Sequence, residues 1–161
     1  MLHMTLHQAL IGNTETKEHC LYLYRDQEVI FYIGRSLFPL ERLREHLGLG
    51  AFDCCRSPLG TLILEHLPQA LFWTMELWTI ADCGLLVQLY RPEYHDWYRQ
   101  QIQRRLSREA SEVAEEVLIE YYQPCLNIVG NRQGKVLPER YQQKNGVHQN
   151  LLLLQMIVGE E

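Results

Sequence analysis

The sequence predicts an α+β fold, and three observations carry that reading. Residues 20–25 and 29–34 are rich in aromatic and β-branched types on either side of Asp26-Gln27-Glu28, the pattern of a hairpin with a short loop. Residues 71–80 alternate Phe72, Thr74, Glu76 and Trp78 against Trp73, Met75, Leu77 and Thr79, the period of a further strand. The remaining apolar residues recur at helical spacing: Leu40, Leu43 and Leu47 in one stretch, and Ile102, Leu106, Ala110, Val113, Ala114, Val117, Leu118 and Tyr121 in another.

Residues 1–19 are a mixed polar opening with Gly12-Asn13 as a turn signal and no assignable element. In the first strand of the hairpin, Cys20, Tyr22 and Tyr24 share one face and Leu21 and Leu23 the other, so the sheet needs cover on both sides. Gly34-Arg35-Ser36 breaks the second strand. Pro39 then suits a first helical turn, where its missing N–H has no partner to lose. That helix runs to about Leu47, with Arg42 and His46 one turn apart on a face of their own and Gly48 and Gly50 as the stop. Ser57-Pro58 caps a second helix that ends at Pro68.

Gly84 and Pro92 punctuate the chain after the strand at 71–80. Residues 94–122 contain neither Pro nor Gly and read as one long helix or as two, with Ser107 or Ser111 as the cap of the second; Pro124 ends it. The tail is polar until Leu151–Val158, an apolar run that suits a strand, a helix against the core or an oligomer contact. At 161 residues the chain is long enough to bury one sizeable core.

The totals exclude several classes. No apolar run reaches the roughly 18 residues that a spanning helix needs, and Met1 to His7 lack a basic segment followed by an apolar one, so the expectation is a cytoplasmic protein with no membrane partner. The five cysteines, at 20, 54, 55, 83 and 125, lack the paired spacing of a zinc site and read as reduced core thiols. A formal charge of −5 argues against attraction of the whole molecule to nucleic acid. Locally, Arg99, Arg104, Arg105 and Arg108 make one segment basic, and Glu109, Glu112, Glu115, Glu116 and Glu120 make the next acidic. On charge pattern alone, a solvated helix laced with ion pairs is the plainer reading of both.

Two phenols on a hairpin, followed by a guanidinium and an imidazole on the next helix, supply several of the groups that phosphodiester hydrolysis requires. The reaction needs an aligned water, an acceptor for its proton, positive charge on the non-bridging oxygens and help for the leaving oxygen. Tyr22 and Tyr32 taken singly are also ordinary cross-strand packing residues, and Arg42 and His46 ordinary helix residues. A metal ligand is offered by Glu115, since Mg²⁺ keeps several waters and accepts few protein donors; by itself this residue is indistinguishable from Glu112, Glu116 or Glu120.

Spacing is more informative. Cys20-Leu21-Tyr22, then Tyr32-Ile33-Gly34, then Arg42 and His46, then Glu115 with Ile119, Tyr122, Pro124 and Asn127, form an ordered set that resembles the GIY-YIG endonuclease family, in particular the N-terminal incision domain of the bacterial excision-repair nuclease. The first motif departs from the family pattern, with Cys20 standing where glycine is usual.

The resemblance implies a small antiparallel three-stranded sheet flanked by helices over residues 20–127, with 1–19 as an N-terminal extension, helical insertions, and 128–161 as a C-terminal extension packed on or extending the same domain. It implies a DNA endonuclease dependent on Mg²⁺ or Mn²⁺. In that reading Tyr22 is the general base or part of its relay, Tyr32 positions water or phosphate, Arg42 binds the scissile phosphate and His46 assists proton transfer. Glu115 holds the metal, and Asn127 fixes the geometry. The base stays open between Tyr22 directly and a Tyr22–water–His46 relay. The acidic net charge leaves room for a protein partner or a homo-oligomer. Two other readings stand beside the nuclease: a catalytically inactive nucleic-acid-binding module, and a structural or oligomeric protein on the same fold.

Overall fold

The computed structural model describes residues 1–49, 56–128, 131, 134–142 and 147–159, with side chains of the last stretch described from Asn150 onward. Gly50 and the Cys54-Cys55 doublet lie outside the described residues.

The hairpin forms as its composition predicts, from β2 (Leu21–Arg25) and β3 (Ile30–Arg35). Its loop is closed by Asp26, whose carboxylate accepts from the N–H groups of Glu28 and Val29. The third expected strand is shorter than its pattern, β4 (Thr74–Trp78), because residues Gln69–Phe72 coil into a 3₁₀ turn. Among the described residues the sheet contains four strands rather than three. Leu2–Thr5, from the opening segment without an assignable element, forms β1 and pairs antiparallel with β4, giving the order β1-β4-β2-β3. All neighbours are antiparallel. Four residues of mixed polarity carry almost no strand signal, and a partner some seventy positions away is invisible to local periodicity.

Both faces of the sheet are covered. On one, Tyr22, Tyr24, Met75 and Leu77 pack with α1 (Leu6–Ile11), α2 (Pro39–His46), α3 (Pro58–Glu65) and α7 (Val147–Gly159). On the other, Leu21, Leu23, Ile33 and Trp78 pack with α4 (Gly84–Tyr90), α5 (His95–Ile102) and α6 (Arg108–Tyr122). Cys20 precedes β2 and lies with Leu21 in the second core, not with the tyrosines. A bulge after Tyr24 leaves Phe31 as the extra residue of β3, so it joins Trp73 and Tyr141 in the first core while Ile33 faces the second.

Helix ends follow the local chemistry. Gly48 takes the left-handed conformation (φ 74°) beyond α2, and the Leu49 N–H returns to the Arg44 carbonyl at 2.9 Å. Residues 94–122 divide into α5 and α6, with Ser107 as the cap whose hydroxyl accepts from the Ala110 N–H. The apolar tail run is helical in α7. Leu154 is buried in the first core while Leu152 and Met156 remain exposed. Cys20 and Cys83 are buried free thiols, and no helix among the described residues is long and apolar enough to cross a membrane.

β3 is an edge strand, and its open side is covered by the chain that leaves α6. The N–H groups of Cys125 and Leu126 donate to the carbonyls of Ile30 and Phe31 at 3.2 and 2.8 Å. Asn127 completes the cover with two bonds to Ile33, accepting its N–H at Oδ1 (2.9 Å) and donating from Nδ2 to its carbonyl (2.7 Å).

Candidate active site

The register of the hairpin sets Tyr22 opposite Gly34 and Tyr24 opposite Tyr32, with all three phenols on one face. Tyr22 lies across Gly34. A Cβ at position 34 would fall 2.5 Å from the Tyr22 hydroxyl and 2.6 Å from Cζ, so only glycine lets the ring occupy this place. Alanine is ordinarily favoured over glycine in a strand by about 0.5–1 kcal/mol, whereas overpacking a core costs about 1–3 kcal/mol. Gly34→Ala is therefore expected to lose about 1–2 kcal/mol in urea denaturation as the Tyr22 ring is displaced. A variant as stable as the parent would contradict this contact.

His46, the last residue of α2, closes the cluster. Its ring centroid lies 5.4 Å from Tyr32, 6.2 Å from Tyr22 and 6.3 Å from Tyr24. Nε2 is 3.5 Å from the Tyr22 hydroxyl and Nδ1 is 2.7 Å from the Ser57 hydroxyl. Arg42, one turn earlier, is exposed and pairs with Glu45 at 2.5 Å.

Burial dominates the electrostatics. It pushes the Tyr22 phenol well above the ordinary tyrosine range; Tyr32 adds to that shift and the Arg42 charge opposes it. Burial likewise raises Tyr32, with Glu115 adding and Arg42 opposing. Tyr24 is raised for the same first reason, and its fully buried hydroxyl takes no hydrogen bond among the described residues. His46 is pulled down to about 4 by burial, with Arg42 adding and Glu45 opposing. At neutral pH the pair is a phenol facing a neutral imidazole.

The His46 shift predicts an acid-labile step. The unfolded imidazole titrates near 6.5 and the folded one near 4, so between those values the unfolded chain binds the proton more readily. Stability should rise with pH through that window and fall as pH drops from about 6.5 toward 4, by on the order of 3 kcal/mol in total. Urea midpoints of the parent and of His46→Gln, measured from pH 4 to 7.5, are expected to diverge in slope. Parallel curves would contradict the buried neutral imidazole.

Glu115 comes from α6, which packs along β3 on the second face. Its Oε2 accepts from Arg35 Nε at 3.0 Å, and Arg35 Nη2 reaches Glu112 at 2.8 Å. Burial raises the Glu115 carboxyl and the Arg35 charge opposes the rise. Its charge is felt by both Tyr22 and Tyr32. Arg35 also lines a cleft of about 250 Å³ with Cys20, Ser36, Leu37 and Arg108.

Tyr22, Tyr32 and His46 are thus in mutual contact, and Arg42 and Glu115 lie within electrostatic reach of the phenols. Asn127 does not join the ring cluster; it grips the backbone of Ile33 between Tyr32 and Gly34. Among the described residues no group of three or more His, Cys, Asp or Glu side chains could enclose a metal. Glu115 offers one carboxylate, with no hydrogen bond to Oε1 among those residues, a donor set that suits an ion keeping most of its waters.

Pattern reading missed Arg35, Ser57 and Tyr24. Arg35 follows directly on Tyr32-Ile33-Gly34, and its position was the available signal; Ser57 had a sufficient explanation as a helix cap, and Tyr24 as a packing residue. Compared with models of known protein families, with curated proteins and with solved structures, the chain gives no match.

Proposed function

We propose that this chain is a divalent-metal-dependent endonuclease of the GIY-YIG type, hydrolysing DNA phosphodiester bonds at a single site around Tyr22. The observation that carries the reading is the setting of the Tyr22 hydroxyl. It faces His46 Nε2 across 3.5 Å and feels the charges of both Arg42 and Glu115, although Glu115 lies on a helix packed against the opposite face of the sheet. The α+β fold with an antiparallel sheet agrees with the same reading.

Each residue then has a task. Arg42 binds the scissile phosphate; its surface pairing with Glu45 is a weak competitor for a doubly bonded phosphate oxygen pair. Glu115 would hold Mg²⁺ or Mn²⁺ through its carboxylate, an ion that accepts few protein donors. When bound, such an ion would supply positive charge to the phosphate oxygens and the leaving group. Tyr22 takes the proton of the attacking water as its own proton passes to His46. This favours a relay over a resting phenolate, because burial keeps the phenol protonated and the imidazole neutral. Tyr32 walls the site, and Gly34 with the Asn127 clamp keeps the edge strand in register.

One observation favours the inactive nucleic-acid-binding module as a second reading: Arg35 already occupies Glu115 Oε2. A plasmid assay separates the two. Supercoiled DNA with Mg²⁺ or Mn²⁺ is expected to be nicked by the parent, and Arg42→Ala to nick roughly 10²- to 10³-fold more slowly. DNA retardation without cutting would favour the module. Neither binding nor cutting would favour a structural protein, with the exposed Leu152 and Met156 of α7 as its contact.

A further inference from the structure

Ser57 does more than cap α3. Its hydroxyl oxygen accepts the Gly60 N–H at 3.1 Å, as an N-cap should, and lies 2.7 Å from His46 Nδ1. Its backbone N–H also donates to the His46 carbonyl at 3.2 Å, so residues 46 and 57 are joined through main chain and side chain together. Imidazole and hydroxyl therefore hold a fixed relation that neither helix could impose alone. On its other side the ring meets a phenol. A phenol O–H is a stronger acid than an imidazole N–H, and an imidazole nitrogen a stronger base than a phenol oxygen, so the bond between them runs from Tyr22 O–H to His46 Nε2. The imidazole proton then belongs on Nδ1, where Ser57 Oγ receives it on its second lone pair.

We infer that Ser57 is a positioning residue: by accepting the Nδ1–H of His46 it holds the tautomer whose Nε2 lone pair faces the Tyr22 hydroxyl. The inference rests on the proposed nuclease reading for its consequence in the reaction, and on geometry alone for its effect on the ring. In the proton transfer, an O–H bond of water breaks as Tyr22 Oη gains that proton, and the Tyr22 O–H breaks as His46 Nε2 gains the second. The imidazolium so formed keeps its Nδ1–H bond to Ser57. The opposite tautomer presents an N–H to Tyr22 and cannot take that proton. Among the described residues, the charged and titratable groups facing the ring are Tyr22 and Tyr24 from β2, Tyr32 from β3, and Arg42 and Glu45 from its own helix.

The test is ¹⁵N NMR of the His46 side chain together with plasmid nicking across pH, in the parent, Ser57→Gly and Ser57→Thr. Glycine removes the hydroxyl yet remains an acceptable helix cap, and threonine retains the hydroxyl. The parent is expected to show the Nδ1–H tautomer at pH 7, and Ser57→Thr to keep it with nicking close to the parent's. Ser57→Gly is expected to shift toward Nε2–H and to nick roughly 10- to 100-fold more slowly, the usual cost of losing a group that orients a reactive histidine. An Nε2–H tautomer in the parent overturns the inference. So does an unchanged tautomer in Ser57→Gly at any rate, or a shifted tautomer with an unchanged rate. A parent that nicks no DNA but shows the Nδ1–H form, lost in Ser57→Gly, would sink the nuclease reading and leave the role of Ser57 toward the ring standing.

Discussion

Glu115→Ala is expected to abolish metal-dependent nicking, with a loss of about 10³-fold or more, while leaving the fold intact. A metal on a scissile phosphate contributes several kcal/mol of transition-state stabilisation, and each 1.4 kcal/mol or so is a factor of ten in rate. The stability of the variant should stay within about 1 kcal/mol of the parent, because the Arg35–Glu115 pair is partly solvated. Arg35 also keeps a second carboxylate partner in Glu112. Removing Glu115 further relieves the burial that raises its own pKa. Circular dichroism and urea midpoints check the fold, and plasmid nicking in Mg²⁺ and Mn²⁺ checks the activity. Nicking at the parent rate would remove Glu115 from the metal site and leave it a structural partner of Arg35.

Tyr22→Phe is the second large effect expected, a loss of roughly 10²- to 10⁴-fold in nicking, the range for removal of a group that moves a proton in the transition state. Phenylalanine keeps the ring, and the ring is what packs over Gly34 and beside Tyr24, Tyr32 and His46. What goes is one hydroxyl at 3.5 Å from Nε2, a long bond whose loss should cost no more than about 1 kcal/mol of stability. Single-turnover nicking of the parent and the variant at saturating protein measures the effect on the chemical step without a contribution from DNA affinity. Full activity in Tyr22→Phe would end both the direct-base and the relay roles, and would point to water activated without the phenol.

The two variants also separate contributions of unequal legibility. Tyr22 and Tyr32 could be placed on one hairpin from composition and the Asp26-Gln27-Glu28 break, because strand alternation is a local property and twelve residues contain all of it. Glu115 was one of five glutamates on one helix, and helical periodicity ranks them no further than by face. In the folded chain Arg35 bridges two of them, Glu112 and Glu115, and of that pair Glu115 is the more buried. Likewise the Ser107 cap and the break between α5 and α6 belong to local chemistry, whereas the pairing of β1 with β4 does not.

The sequence by itself determined the α+β class, the hairpin and its short loop, the helix carrying Arg42 and His46, and the order of the residues that resemble a nuclease site. Propensity, capping and hydrophobic period act over a few residues, and such features are written in a few residues. Only the tertiary structure decided that the sheet has a fourth strand, that Tyr22 fits because position 34 has no side chain, that Ser57 faces His46, and that Arg35 shares the carboxylate of Glu115. These are contacts between segments whose separation is set by how two cores close on opposite faces of one sheet, and packing is a property of the whole chain.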